Sequence, residues 1–279
     1  MAACRIGRAA RRVARDEGDA PRRPYKMMRF SRRSQIRISA LCLFTFSFCF
    51  PFAVLAEERG TLDAGNPAGA VVQLLAIGPG AGDKNAACAA TGFLVNEDGT
   101  ILTNAHVVED ARRCLAGSSE AKIVAKLAGP DSRTAKAVSC DVVALDELHD
   151  LALLKTERPL GEGHVCVLLD AMPPAEGTAV AVTGHSAFAW QPTTQKGRVI
   201  RRASLTLFEK SAEKTDVIVL DIPLQRGASG SPVYLDSGVV VGVVERQYPS
   251  RTSETVAVPI RYAIELLERL HVRWHESGK

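Results

Sequence analysis

The sequence predicts an all-β protein of two antiparallel barrels closed by a C-terminal helix. Three observations carry that expectation. Short apolar runs recur every eight to twelve residues from Val71 onward, with turn signals between them. One long helical periodicity stands out, at Ile260–Leu270. A connector, Asp170-Ala-Met-Pro-Pro-Ala-Glu-Gly177, divides the runs into two groups of similar size.

Taken in order, the first group is Val71–Ala76, Thr91–Val95, Ile101–Thr103, Ile123–Leu127, Ala137–Leu145, Leu151–Lys155 and Val165–Leu169. The second is Thr178–Thr183, Gly197–Arg201, Ser204–Phe208, Asp216–Leu220, Pro232–Leu235, Val239–Glu245 and Thr255–Pro259. Asn96-Glu-Asp-Gly-Thr100 and Asp236-Ser-Gly238 have the Asx and Gly chemistry of hairpin turns. A short helical turn is expected after His106. The closing helix places Ile260, Ala263, Ile264, Leu266, Leu267 and Leu270 on one face.

The formal net charge of +4 over 279 residues hides two unlike parts. Residues 1–56 hold 12 Lys and Arg against 3 Asp and Glu, whereas residues 57–279 hold 23 against 28. The basic surplus sits ahead of an apolar run, Ser39–Ala56, that ends in small residues. That is the pattern of a signal peptide cleaved after Ala56, with Met27 or Met28 fitting as the true start. The rival is an uncleaved anchor, so membrane association is expected only if segment 39–56 is retained. The remaining domain is mildly acidic and gives no case for a nucleic-acid partner.

Four cysteines lie beyond the leader: Cys88, Cys114, Cys140 and Cys166. An even number in an exported chain suggests two disulfides, and of three possible pairings the sequence neighbours are preferred, Cys88–Cys114 and Cys140–Cys166. Buried free thiols are the alternative. No Cys-x2-Cys or His-x3-His spacing appears, so neither metal nor cofactor is expected.

Three positions point to chemistry. Ser229 sits in Gly227-Ala-Ser-Gly-Ser-Pro232, where flanking glycines permit a sharp turn that exposes the hydroxyl. His106 stands at a strand-to-helix junction, and Asp150 is an acid at the mouth of an otherwise apolar strand. A serine hydroxyl becomes a nucleophile when an imidazole takes its proton, and the imidazole needs a carboxylate to fix its tautomer.

Thr103-Asn-Ala-His106, Asp150-Leu-Ala-Leu-Leu154 and Gly227–Pro232 resemble the signature segments of trypsin-like serine proteases, most closely the bacterial HtrA/Deg-type branch. Thr91–Val95, Val182–Ala187, Lys196–Ile200 and Thr255–Ile260 extend the resemblance across about residues 70–270. It implies a chymotrypsin-like fold: two six-stranded antiparallel barrels at about 67–170 and 178–259, and a closing helix at about 260–271. It implies an exported, periplasmic or secreted endopeptidase acting on polypeptides, with a protein-processing or quality-control role. His106 would be the base, Asp150 its orienter and Ser229 the nucleophile, with the Gly227 and Ser229 amides as oxyanion hole. Gln225, Arg226, Val244 and Glu245 would line the substrate pocket.

Departures from the pattern are few. Ala228 and Ser231 stand where the family often has Asn and Gly. Pro223 stands where an acid would select Lys or Arg, so a small or medium apolar P1 residue is expected. No Ile-Val-Gly-Gly-like start supports activation by a freshly cut N-terminus, and no PDZ domain is expected. Two other readings compete: a peptide-capturing pseudoprotease working by strand addition, and a serine esterase. The second lacks a nucleophile elbow followed by Asp and His in that order.

Overall fold

The computed structural model describes residues 67–78, 88–114, 122–127, 136–160, 164–186, 191–207, 213–248 and 251–277. All of them belong to the unit Ala56–Lys279. The leader read at 1–56 lies outside the described residues.

The first barrel contains β1 (Val71–Ile77), β2 (Ala89–Leu94), β3 (Thr100–Thr103), α1 (Ala105–Cys114), β4 (Lys122–Leu127), β5 (Ala137–Asp146) and β6 (Leu151–Thr156). Its strands close in the order β1-β2-β3-β6-β5-β4, every pair antiparallel, with β1 and β4 forming the seam. Phe93, Ile101, Leu102, Leu151 and Leu153 of its strands are fully buried. Each such side chain contributes about 1.5–3 kcal/mol by leaving water.

After β7 (Leu168–Leu169) the second barrel is built from β8 (Ala179–Gly184), β9 (Thr193–Leu205), β10 (Thr215–Leu220), β11 (Pro232–Tyr234), β12 (Val239–Tyr248) and β13 (Arg251–Pro259). The order β11-β8-β9-β10-β13-β12 closes through a β11–β12 pairing. The chain ends with α2 (Ile260–Arg269) and β14 (His275–Glu276). The helix buries Ile260, Ala263, Ile264, Leu266 and Leu267, and the expected sixth member of that face, Leu270, stands just past its end and is exposed.

Several elements differ from the sequence reading. The run Gly197–Arg201 and the start of the next run, Ser204 and Leu205, lie in one strand, β9, while Phe208 lies outside the described residues. The arginines do not break it: Arg201 pairs with Glu254 at 2.6 Å, and Arg202 donates to the Pro173 and Pro174 carbonyls. Of Val165–Leu169 only Leu168 and Leu169 are strand, pairing in parallel with β12 on one side and with β14 on the other. The turn after His106 is a ten-residue helix, because Val107, Val108 and Ala111 give it a buried face.

The disulfide expectation is half corrected. Cys88 and Cys114 are bonded, joining the start of β2 to the end of α1 across 26 residues. Cys140 and Cys166 are not bonded. Cys140 faces Ile123 within the wall of the first barrel, whereas Cys166 precedes β7 beside Glu97 and His275. Burial pushes these thiols up to about 11 and about 12, so both stay neutral and unreactive. Reducing the Cys88–Cys114 bond is expected to lower stability by about 3.5 kcal/mol through restored chain entropy. Urea midpoints with and without reductant measure it; coincident curves would show that the bond contributes nothing.

Candidate active site

Asp150 is the best-anchored residue of the site. It ends the turn between β5 and β6 in a left-handed conformation (φ 53°) and is 1% exposed. Asp tolerates that region better than most side chains. The buried Asn104 amide holds the turn by donating to the Asp150 carbonyl oxygen at 3.0 Å. This aims the Asp150 carboxylate at the start of α1, where first-turn amides have no partner inside the helix. The His106 backbone N–H donates to Oδ1 at 2.8 Å, and the His106 ring Nδ1 lies 2.6 Å from Oδ2. One carboxylate therefore fixes both the main chain and the ring of the histidine. With Nδ1 donating to Asp150, Nε2 keeps its lone pair for a proton.

Burial lowers the pKa of His106, but the hydrogen bond and charge of Asp150, with smaller help from Glu245 and Asp110, outweigh it and raise the value above the ordinary imidazole range.

The serine turn is tied to the opposite barrel. Gly227 (φ 98°) and Gly230 (φ 83°) occupy the region that favours glycine. The buried Thr91 of β2 holds both carbonyls of the turn: its hydroxyl donates to Gly227 at 2.7 Å and its N–H to Ser229 at 3.0 Å. Three amides of the turn are used locally, those of Ala228, Gly230 and Ser231 donating to Gln225, Val244 and Ala228. Among the described residues, the N–H groups of Gly227 and Ser229 have no acceptor. Two unspent amides on one turn can receive a developing oxyanion.

His106, Gly227 and Ser229 line one cleft of about 560 Å³, floored by Leu74–Ala76 of β1 and Cys88–Ala90. The Ser229 hydroxyl donates to the Glu245 carbonyl oxygen at 3.0 Å, not to His106.

The residues expected to line a substrate pocket divide. Arg226 lines the cleft. Gln225 lines a second cavity of about 260 Å³ with Gly184, His185, Leu224 and Ala228. Val244 and Glu245 line neither of these two cavities. A register shift in β12 falls between Val244 and Arg246, and both Val244 and Glu245 are buried, against different neighbours. Val244 joins the core of the second barrel. Glu245, 2% exposed, brings its carboxylate to within 4.8 Å of the His106 and Asp150 donor atoms. Arg246 Nε lies 2.9 Å from Glu245 Oε2 but is not aligned on it, leaving that oxygen without a hydrogen-bond donor. Burial pushes the Glu245 carboxyl up to about 7, with Asp150 adding to the rise and Arg246 and His106 opposing it.

Two groups could offer three ligands to a metal ion: His106, Asp150 and Glu245, and Glu97, Cys166 and His275. In the first the His106–Asp150 hydrogen bond already occupies one pair of atoms, and in the second His275 pairs with Glu97 at 3.0 Å. His149 bonds Asp146 and stacks on Tyr262. Sequence reasoning gave Thr91 and Asn104 no role. Their signal was position alone, each in a quoted segment but carrying no reactive group.

Residues 90–243 match the family profile described as a trypsin-like peptidase domain. A probable periplasmic serine endoprotease, DegP-like, of Ectopseudomonas mendocina is 29% identical over 197 residues, 69% of this chain and 37% of that protein. The mitochondrial serine protease HTRA2 of Bos taurus is 30% identical over 73% of this chain and 41% of its own length. The chain thus spans about two-fifths of the length of these relatives. Among solved structures, the active form of the Rv3671c protease from M. tuberculosis superposes with a TM-score of 0.58 at 21% identity, over 75% of this chain and 84% of that one. That likeness establishes the shared fold.

Proposed function

Because the chain belongs to the family of trypsin-like peptidases, we propose that it is an exported serine endopeptidase using Ser229, His106 and Asp150. The observation that carries this reading is the double grip of Asp150 on the His106 backbone and ring, at the rim of the cleft that also holds Ser229. Ser229 Oγ attacks the scissile carbonyl carbon while its proton passes to His106 Nε2. The amides of Gly227 and Ser229 receive the oxyanion. The imidazolium then protonates the leaving amine, and water repeats the sequence to release the acyl group. Asp150, bonded to the ring, stabilises each imidazolium. The raised pKa of His106 means that the free base is lost, and activity falls, at a higher pH than an isolated imidazole would impose.

Export rests on the leader at residues 1–56 and on the periplasmic designation of the DegP-like relative. Among the described residues no helix is long and apolar enough to cross a membrane. Protein processing or quality control is the role that the HtrA/Deg resemblance suggests. An apolar P1 preference rests on Pro223 standing where a selecting acid would be.

A fluorophosphonate probe tests the chemistry. Wild-type protein is expected to label, and Ser229→Ala to lose labelling completely. Casein cleavage compared with turnover of a p-nitrophenyl ester then separates protease from esterase. Folded wild-type protein that neither labels nor cleaves casein would leave only a peptide-binding role.

A further inference from the structure

A fully buried glutamate directly under a His–Asp pair is an unusual neighbour. Glu245 sits at a register shift in β12 and lines neither the cleft nor the second cavity. Its own main-chain carbonyl holds the resting Ser229 hydroxyl at 3.0 Å, so one residue meets all three catalytic groups. A buried carboxylate needs a donor or a proton. Arg246 is close but misaligned and 41% exposed, and one oxygen of Glu245 is left without a donor. The charged groups around it are Arg246 on its own strand, Asp150 before β6, and His106 on α1, with Asp110 one turn further along that helix. Arg226 stands across the cleft that His106 lines.

We propose that Glu245 is a positioning residue that shares one proton with His106 and so sets the pH at which the imidazole is free to act as base. The inference rests on the reading of His106 as the base. With one proton in the Glu245–Asp150–His106 group, two arrangements carry the same net charge of minus one. In the first, Glu245 is neutral, its O–H can donate to the Asp150 carboxylate, and His106 is the free base. In the second, Glu245 is ionised and the proton sits on His106, which then cannot accept one from Ser229. A further proton, taken from water on the acid side, protonates both. The carboxyl of Glu245 titrates near neutrality, where the two arrangements compete.

The wild-type protein and Glu245→Gln, which keeps the shape and a donor for Asp150 but takes no proton, are compared in kcat/KM from acid to alkaline pH. With the competing carboxylate removed, the acid limb of Glu245→Gln is expected to move to lower pH. Kcat/KM on that limb, relative to the variant's own alkaline plateau, should rise by about threefold to tenfold. Glu245→Thr should shift the limb in the same direction. An unmoved acid limb in an active variant overturns the proposal while leaving the peptidase reading intact. Wild-type protein inactive at every pH overturns the peptidase reading instead. Should both variants fail to fold, NMR of the His106 ring in the unmodified protein decides: two coupled steps support the shared proton, and a single step rules it out.

Discussion

Asp150→Asn is expected to lower kcat by about 10⁴-fold, equivalent to about 5.4 kcal/mol of transition-state stabilisation. The asparagine has almost the same shape but only one acceptor oxygen. Asp150 serves two donors, the His106 N–H at 2.8 Å and the ring Nδ1 at 2.6 Å. If the remaining oxygen faces the ring, an amide NH2 meets the helix N–H. If it faces the helix, the NH2 meets Nδ1 and forces the tautomer whose Nε2 carries hydrogen and cannot accept the Ser229 proton. Either outcome also leaves a buried donor unpaired, at about 1–3 kcal/mol of stability. Steady-state kinetics beside a thermal melt separates the two effects. A kcat within about tenfold of the parent would refute the role given to this carboxylate.

Gly230→Ala is expected to destabilise the protein by about 3–5 kcal/mol and to remove activity in what remains folded. Gly230 has φ 83°, which a side chain resists, and a Cβ there would stand inside contact distance of the Thr91 carbonyl oxygen and the Thr103 hydroxyl. Both neighbours belong to the first barrel, and their mutual hydrogen bond at 2.8 Å leaves them little room to retreat. Urea unfolding gives the number. Unchanged stability would mean that the turn can withdraw from β2, contrary to the two bonds by which Thr91 holds it.

The parts of the site that announced themselves were those with distinctive local chemistry. A serine between glycines, a histidine where a strand gives way to a helix, and an acid opening an apolar strand each carry their own signal. The fold was legible for the same reason, because alternating apolar runs and turn residues are local patterns. What escaped the sequence depended on partners far along the chain. Glu245 follows two buried valines, and what buries it, the approach of His106 and Asp150 from the first barrel, cannot be seen along the strand. Thr91 reads as an ordinary strand threonine, yet its partners lie 136 and 138 positions away. Cys140 and Cys166 resemble a pair in number and spacing, and only the three-dimensional placement of β5 and β7 separates them. The long strand β9 was divided in reading because adjacent arginines resemble a turn until Glu254 and the carbonyls of Pro173 and Pro174 are seen to receive them.

The hold of Thr91 on the serine turn has a consequence for the life of the molecule before it is finished. The carbonyls that must be turned aside for the oxyanion amides to be presented are gripped by a residue of the other lobe. A lobe folded alone would possess the serine, or the histidine and aspartate, but never a shaped receptor for the tetrahedral intermediate. The serine turn therefore takes its shape only when the two lobes dock, and local opening between them would release it.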